Sequence, residues 1–175
     1  MYNVNNKFAI KQGGWNSFEA DLTLKDHTMR EIARPNNDTY YASALLDLRA
    51  EPVIMHLPVL GSDYSSLMVT GYDHYVNVPK STGKGDFQKP ENILFYSDRT
   101  EGYDGHPIKG IDETFETSGD FISAVIRVMP HLSDEARHEE VKKNIAKIGI
   151  MPLSEFLGTE KPAYTDVTFP DLGQT

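Results

Sequence analysis

The chain has no cysteine, and that absence removes disulfide staples, thiolate nucleophiles and zinc ribbons together. Positive charge is scarce as well: 17 Lys and Arg stand against 26 Asp and Glu, a formal net charge of −9. Nucleic-acid backbones are bound through clustered cations that release counterions. The nearest approach to a cluster, Lys142-Lys143, is offset by Glu139-Glu140. Nucleic acid is therefore excluded as a partner. No apolar run is long enough to span a bilayer, and the polar stretch from Met1 to Gln12 lacks the apolar core of a signal peptide. The expectation is a soluble, cytoplasmic protein with no membrane partner. Tryptophan occurs once, at Trp15, and is read as a packing anchor.

What is present describes a single domain over 1–175. A chain of 175 residues, 39% hydrophobic and 25% charged, has ordinary globular composition and length enough for a sizeable core. From Thr39 the apolar residues recur at period two. Tyr40, Ala42, Ala44, Leu46 and Leu48 share one face of a strand over 39–48. Val53, Met55 and Leu57 mark a second strand, and Gly61-Ser62-Asp63 turns the chain into a third over 64–72. Short strands follow at 75–78 and 93–96. They are separated by loops at 79–90 and 98–107, of the length that is functional or mobile in a compact domain.

The stretch 121–129 fits strand or helix by periodicity, and its β-branched content favours a strand. Ser133 reads as the N-cap of the main helix, which Gly149 stops, with Val141, Ile145 and Ile148 as its buried stripe. Pro152-Leu153-Ser154 opens a last helical turn. The N-terminal part is less regular. Phe8-Ala9-Ile10 suggests a short edge strand, and 17–32 fits a helix or, around Asp26-His27-Thr28, a loop. Hairpin-linked strands with one main helix near the C-terminus indicate a mainly β (α+β) fold, an antiparallel β-sandwich-like domain.

Chemistry concentrates in Arg34-Pro35-Asn36-Asn37-Asp38-Thr39-Tyr40-Tyr41. Pro35 fixes its own φ and keeps Arg34 out of helical space, while Asn and Asp bond their own backbone in turns. Turn chemistry alone accounts for most of these residue types. The functional reading is that Arg34 holds an anionic or carbonyl oxygen with its fork of donors. Asn36, Asn37 and Tyr40 would complete the ligand contacts, with Asp38 as base. Alternation lets only one of Tyr40 and Tyr41 face such a site.

Asp73-His74-Tyr75 is the second candidate, since a histidine beside a carboxylate is a tunable acid–base group. Arg127, a cation on the mixed face of an apolar strand, calls for a carboxylate partner if buried, with Asp38 and Asp73 as candidates. A metal is not expected, because no His-x-His or His-Glu-x-x-His spacing occurs. His138 and Glu139 are read as facing water. No cofactor is indicated.

The run 34–40 leading into Ser43-Ala44-Leu45-Leu46-Asp47-Leu48 resembles the signature of the domain-of-unknown-function 1254 family. The resemblance continues in Tyr64–Val69, Asp73-His74-Tyr75-Val76-Asn77, Gly119-Asp120-Phe121 up to Arg127, and Pro152-Leu153-Ser154. It covers about residues 29–157, leaving an N-terminal segment 1–28 and a tail 158–175. It implies a β-rich, sandwich-like domain. Members usually carry a companion domain of the 1214 family and many look exported. Here the expectation is a stand-alone form.

Two functions follow as expectations. In the first, Asp38 and His74 transfer protons on a small polar molecule held by Arg34, Asn36, Asn37, Tyr40, Asp73, Tyr75 and Arg127. In the second, the polar turn is structural, and the tyrosine-rich surface with the tail builds a homo-oligomer.

Overall fold

Residues 9–11, 13–29 and 36–163 are described by the computed structural model. Arg34, Pro35 and the tail beyond residue 163 lie outside them.

Alternation decides the strands. In β2 (Tyr40–Asp47), Tyr40, Ala42, Ala44 and Leu46 are buried while Tyr41, Ser43 and Asp47 are not. In β8 (Phe121–Val128) the same period buries Ile122, Ala124, Ile126 and Val128, and the stretch is a strand. Side chains on a pleated strand point alternately to opposite faces, so each of these strands has one face for a core and one for solvent.

Among the described residues β8 is the middle of a five-stranded antiparallel sheet, sheet A. Its strand order is β1 (Ser17–Asp21), β2, β8, β4 (Ser65–Gly71), β5 (Val76–Ser81). Sheet B has four strands, in the order β7 (Glu113–Thr117), β6 (Glu91–Ser97), β3 (Val53–Leu57), β9 (Gly149–Pro152). The core lies between the sheets: Leu46, Leu67, Val69, Ile122 and Ile126 from sheet A meet Met55, Leu57, Ile93 and Phe95 from sheet B. The helix α1 (Glu135–Ile145) adds Val141 and Ile145, and Ile148 follows it into the same core. Trp15 packs on Phe121, ring centres 5.2 Å apart.

Several details differ from the sequence expectation, each for a physical reason. Asp134, not Ser133, caps α1, its side chain accepting from the Arg137 N–H, and the helix ends at Ile145 with Ala146 as its C-cap, while Gly149 is the first residue of β9. Residues 17–21 are β1 rather than helix, drawn into the edge of sheet A by pairing with β2. Ala9, Ile10 and Lys11 are helical where an edge strand was expected.

The stretch expected as the loop 79–90 begins inside β5, which tolerates Pro79 because it is an edge strand. Beyond Pro107 comes β7, a strand with few apolar residues that pairs parallel to β6. A parallel pair cannot be joined by a hairpin and needs a crossover of a dozen or more residues. The second long loop is part of that crossover, over 98–112.

The crossover also covers sheet B from outside. Ile54, Leu94 and Tyr103 are buried there, with the half-buried Ile108, Met151, Leu153 and Phe156 packed against them, the last two from α2 (Leu153–Leu157). Sheet B is thus packed on both faces. Sheet A keeps its outward rows at β8, β4 and β5 open, and that difference positions the candidate site.

Candidate functional site

Strand registers arrange the outward side chains of sheet A in rows. The first row reads Asp21, Tyr41, Arg127, Ser66, Ser81. The second reads Glu19, Ser43, Val125, Met68, Pro79. A third carries Ser123, Thr70 and Val76. A hollow of about 330 Å³ crosses these rows over β8, β4 and β5. Arg127, Ser66 and Ser81 line one side, Val125, Met68, Pro79 and Val76 its apolar floor, and Lys84 its rim. Small-molecule sites are concave, mostly apolar and carry a few convergent polar groups, and this hollow has that make-up.

Arg127 is its one guanidinium. It is half-buried, its Cζ 5.4 Å from the centre of the Tyr41 ring, and the aromatic face holds the cation in place by its quadrupole. Among the described residues no carboxylate pairs with it. The expected pairing with Asp38 or Asp73 is therefore corrected: Arg127 points outward, and a ring rather than an anion supports it.

Lys80, from the neighbouring strand, has the opposite environment. Its side chain turns inward, 7% exposed, with Nζ 2.9 Å from Glu91 and 2.5 Å from Glu113, and Asp86 at 3.8 Å. Burial alone would lower its pKa, but the bonds it donates to Glu113 and Glu91 more than offset that and hold it above the ordinary lysine value. Lys84 on the rim donates to the Pro79 carbonyl at 2.9 Å.

A second hollow, about 400 Å³, lies over β1 and β2 among Lys11, Glu19, Asp21, Thr23, Tyr41 and Ser43. Of its charged lining residues, Asp21 is paired. Lys25 bonds Asp21, and although burial alone would raise that carboxyl, the Lys25 and Thr23 bonds bring it below the usual range.

The expected site residues fall in two places. Tyr40 pairs with Val128 at one end of β8, and Gly71, just before Asp73, pairs with Ile122 at the other. Six residues of strand, roughly 20 Å, separate the two turns, so Asp38 and His74 do not form one acid–base pair. Asn36, Asn37 and Asp38 precede β2 at the Arg127 end, with Asn36 Oδ1 accepting from the Asp38 N–H at 2.8 Å. Asp38 and Asn37 are exposed.

Tyr40 is 5% exposed and faces the core side. Its hydroxyl lies 3.4 Å from His138 Nε2, whose Nδ1 is 2.7 Å from the Pro130 carbonyl. The carbonyl can only accept, so Nδ1 carries the proton and the Tyr40 hydroxyl donates to Nε2. His138 is correspondingly half-buried rather than turned to water. Tyr41, not Tyr40, is the phenol on the outward face, beside Arg127.

Asp73, His74 and Tyr75 form an exposed turn, with His74 at φ 67 in the left-handed region. The Ser118 hydroxyl and the Tyr75 N–H hold the Asp73 carboxyl below its usual range. Tyr75 leads directly into Val76, at the far end of the hollow.

Ser66, Met68, Pro79, Ser81 and Lys84 were missed from the sequence. The available signal was Met68, an apolar side chain on the polar face of β4, left 39% exposed. His138 had a signal too, since 138, 141 and 145 follow the helical spacing of the buried stripe.

Ser62 and His131 also meet, with Oγ and Nε2 3.2 Å apart. The Ser62 proton is better placed on the Met129 carbonyl at 2.8 Å, and His131 Nε2 accepts from the Asp63 N–H. The pair pins a loop and is not an activated nucleophile. Among the described residues no group of three His, Asp or Glu is arranged to hold a metal.

A family model described as "Protein of unknown function (DUF1254)" matches residues 15–152. The chain belongs to the DUF1254 family. No curated protein matches this DUF1254 chain. Among solved structures it is similar to the VPA0106 protein from Vibrio parahaemolyticus, at 23% identity and a TM-score of 0.76. That match covers 99% of this chain and 39% of the Vibrio chain, so the DUF1254 chain spans well under half of that relative. The likeness supports the fold alone. A putative uncharacterized protein from Burkholderia cenocepacia matches at 12% identity and a TM-score of 0.46, covering 96% of this chain and 42% of that one. No described helix is long and apolar enough to cross a membrane.

Proposed function

We propose that this DUF1254 domain binds a small oxygen-rich molecule in the hollow beside Arg127. One observation carries the reading: a half-buried guanidinium, held by a ring and facing no carboxylate among the described residues, stands at the edge of an apolar concavity. A guanidinium offers five donors in a fixed fork, and stacking on Tyr41 fixes its plane while leaving donors for a ligand. Asn36, Asn37 and Asp38 precede β2 at the same end of the sheet. If the bound molecule is turned over, Asp38, exposed in the turn before β2, would be the proton-transfer candidate. His74 has no part in that step.

The test is a thermal-shift series on wild type and Arg127→Gln with small carboxylates, sugars and divalent metals. A ligand that binds only the folded state raises the melting temperature. Carboxylates are expected to raise that of the wild type and not that of the variant, with both melting alike when unliganded. No rise with any compound would overturn the reading in favour of a non-catalytic assembly module. Light scattering with and without residues 158–175 would then test that alternative.

A further inference from the structure

We infer that the occupant of the Arg127 hollow is an amphiphilic monoanion, a carboxylate head on an extended apolar body, lying along β4 and β5. The inference rests on the binding reading above and adds orientation and class to it. Order among the rows is the basis. The polar side chains Arg127, Ser66 and Ser81 occupy one row, and the apolar Val125, Met68 and Pro79 the next. Val76, 47% exposed, stands one row further on.

A ligand that follows the strands therefore meets charge first and hydrocarbon afterwards. Arg127 lies opposite Ser66, four residues along β4 from Thr70, which pairs with Val76. That separation is roughly 13 Å. A volume of about 330 Å³ holds roughly ten water-sized groups at ~30 Å³ each. Both measures fit a chain of about eight to ten heavy atoms.

The placement of charge favours one anionic head, at the Arg127 end. Lys80 is neutralised on the inward side by Glu91 and Glu113. Asp86 accepts from the Ser81 N–H at 2.8 Å and lies near Lys80, so it is engaged away from the hollow. Lys84 keeps its charge but stands exposed on the rim, with one of its three donors spent on the Pro79 carbonyl. Arg127 is the half-buried cation of the hollow, with its donors to spare. A sugar or a polyanion would leave Met68, Pro79 and Val76 facing polar groups, at a desolvation cost nothing here offsets.

The experiment is calorimetric titration of the full chain with butanoate, hexanoate, octanoate and decanoate, and with octanol. Each methylene laid on the apolar floor is expected to tighten binding by roughly fourfold, levelling off where the hollow is full. Octanol is expected to bind at least tenfold more weakly than octanoate. In the double variant Met68→Ser/Val76→Thr the dependence on chain length should flatten, decanoate losing far more affinity than butanoate. Arg127→Gln should weaken every carboxylate by the same factor.

Carboxylates that bind with no dependence on length would overturn the amphiphile and leave the Arg127 reading standing. Octanol binding as tightly as octanoate would overturn the anionic head. No carboxylate binding at all would overturn both.

Discussion

Lys80 and Arg127 touch the same hollow from opposite sides of sheet A, and their surroundings differ in one respect. Lys80 faces three carboxylates between the sheets. Arg127 faces a tyrosine ring and, among the described residues, no carboxylate. A buried ammonium is tolerated only when paired and hydrogen-bonded, so the inward cation is saturated and belongs to the architecture. The outward cation is positioned without being saturated, and spare donors at a concave surface are what a ligand can use. Identity of charge says nothing about role; the number of anions already in place does.

The largest expected effect breaks the saturated side. Lys80→Met leaves Glu91 and Glu113 close together without their cation, and should destabilise the fold by about 3 kcal/mol. That is the low end for a broken buried pair, because the Glu113 side chain is 36% exposed. Urea unfolding measures it. The effect has a pH signature as well. Folding raises the Lys80 pKa above its ordinary 10.5, so its contribution is complete below that value and fades as pH rises through the higher folded one. The gap between wild type and Lys80→Met should therefore close in alkali. A gap unchanged through that range would mean the ammonium is not what joins the sheet edges.

On the unsaturated side the sign of the comparison inverts. Arg127→Gln should change stability by no more than about 0.5 kcal/mol, as a surface substitution does. It should weaken carboxylate binding by tenfold or more, since hydrogen bonds to charged groups contribute about 1.5–3 kcal/mol. If Arg127→Gln unfolds the protein as Lys80→Met does, the two cations are alike and the distinction fails.

Much of the frame was legible because alternation is a local signal: β2, β3, β4 and β8 each carry their core-facing set within a few residues. The edge strands β1, β7 and β9 were not. In β7 only Phe115 is apolar, and β9 is four residues long, so neither repeats a period often enough to register. Arg127 was legible as an odd cation on an apolar strand. Its neighbours were not, because Met68, Ser81 and Val76 reach it only through strand registers that join distant parts of the chain. The same lack of register made Asp38 and His74 look like partners when they lie at opposite ends of β8.

Tyr40 and Tyr41 repeat the contrast one residue apart, with smaller effects. Tyr40→Phe removes the hydroxyl that donates to His138 Nε2 and leaves that acceptor half-buried. A loss of about 1 kcal/mol in stability is expected, with no change in carboxylate affinity. Equal loss of binding in this variant would place the ligand on the core side instead.

Tyr41→Leu is the subtlest test. Leucine still covers the floor between β2 and β8, but it has no quadrupole to hold a guanidinium over its face. A cation–π contact at a partly exposed site contributes about 0.5–1 kcal/mol, and some of it returns as Arg127 finds water. Stability should fall by no more than about 0.5 kcal/mol, while carboxylate affinity falls about two- to threefold, because a guanidinium free to wander must be ordered again on binding. That ratio distinguishes positioning from mere coverage: a platform that only shields β8 would lose stability and leave affinity alone. Carboxylate affinity unchanged in Tyr41→Leu but abolished in Arg127→Gln would show that the cation needs no support. The reason it stays unsaturated would then have to be sought in the sheet rather than in the ring.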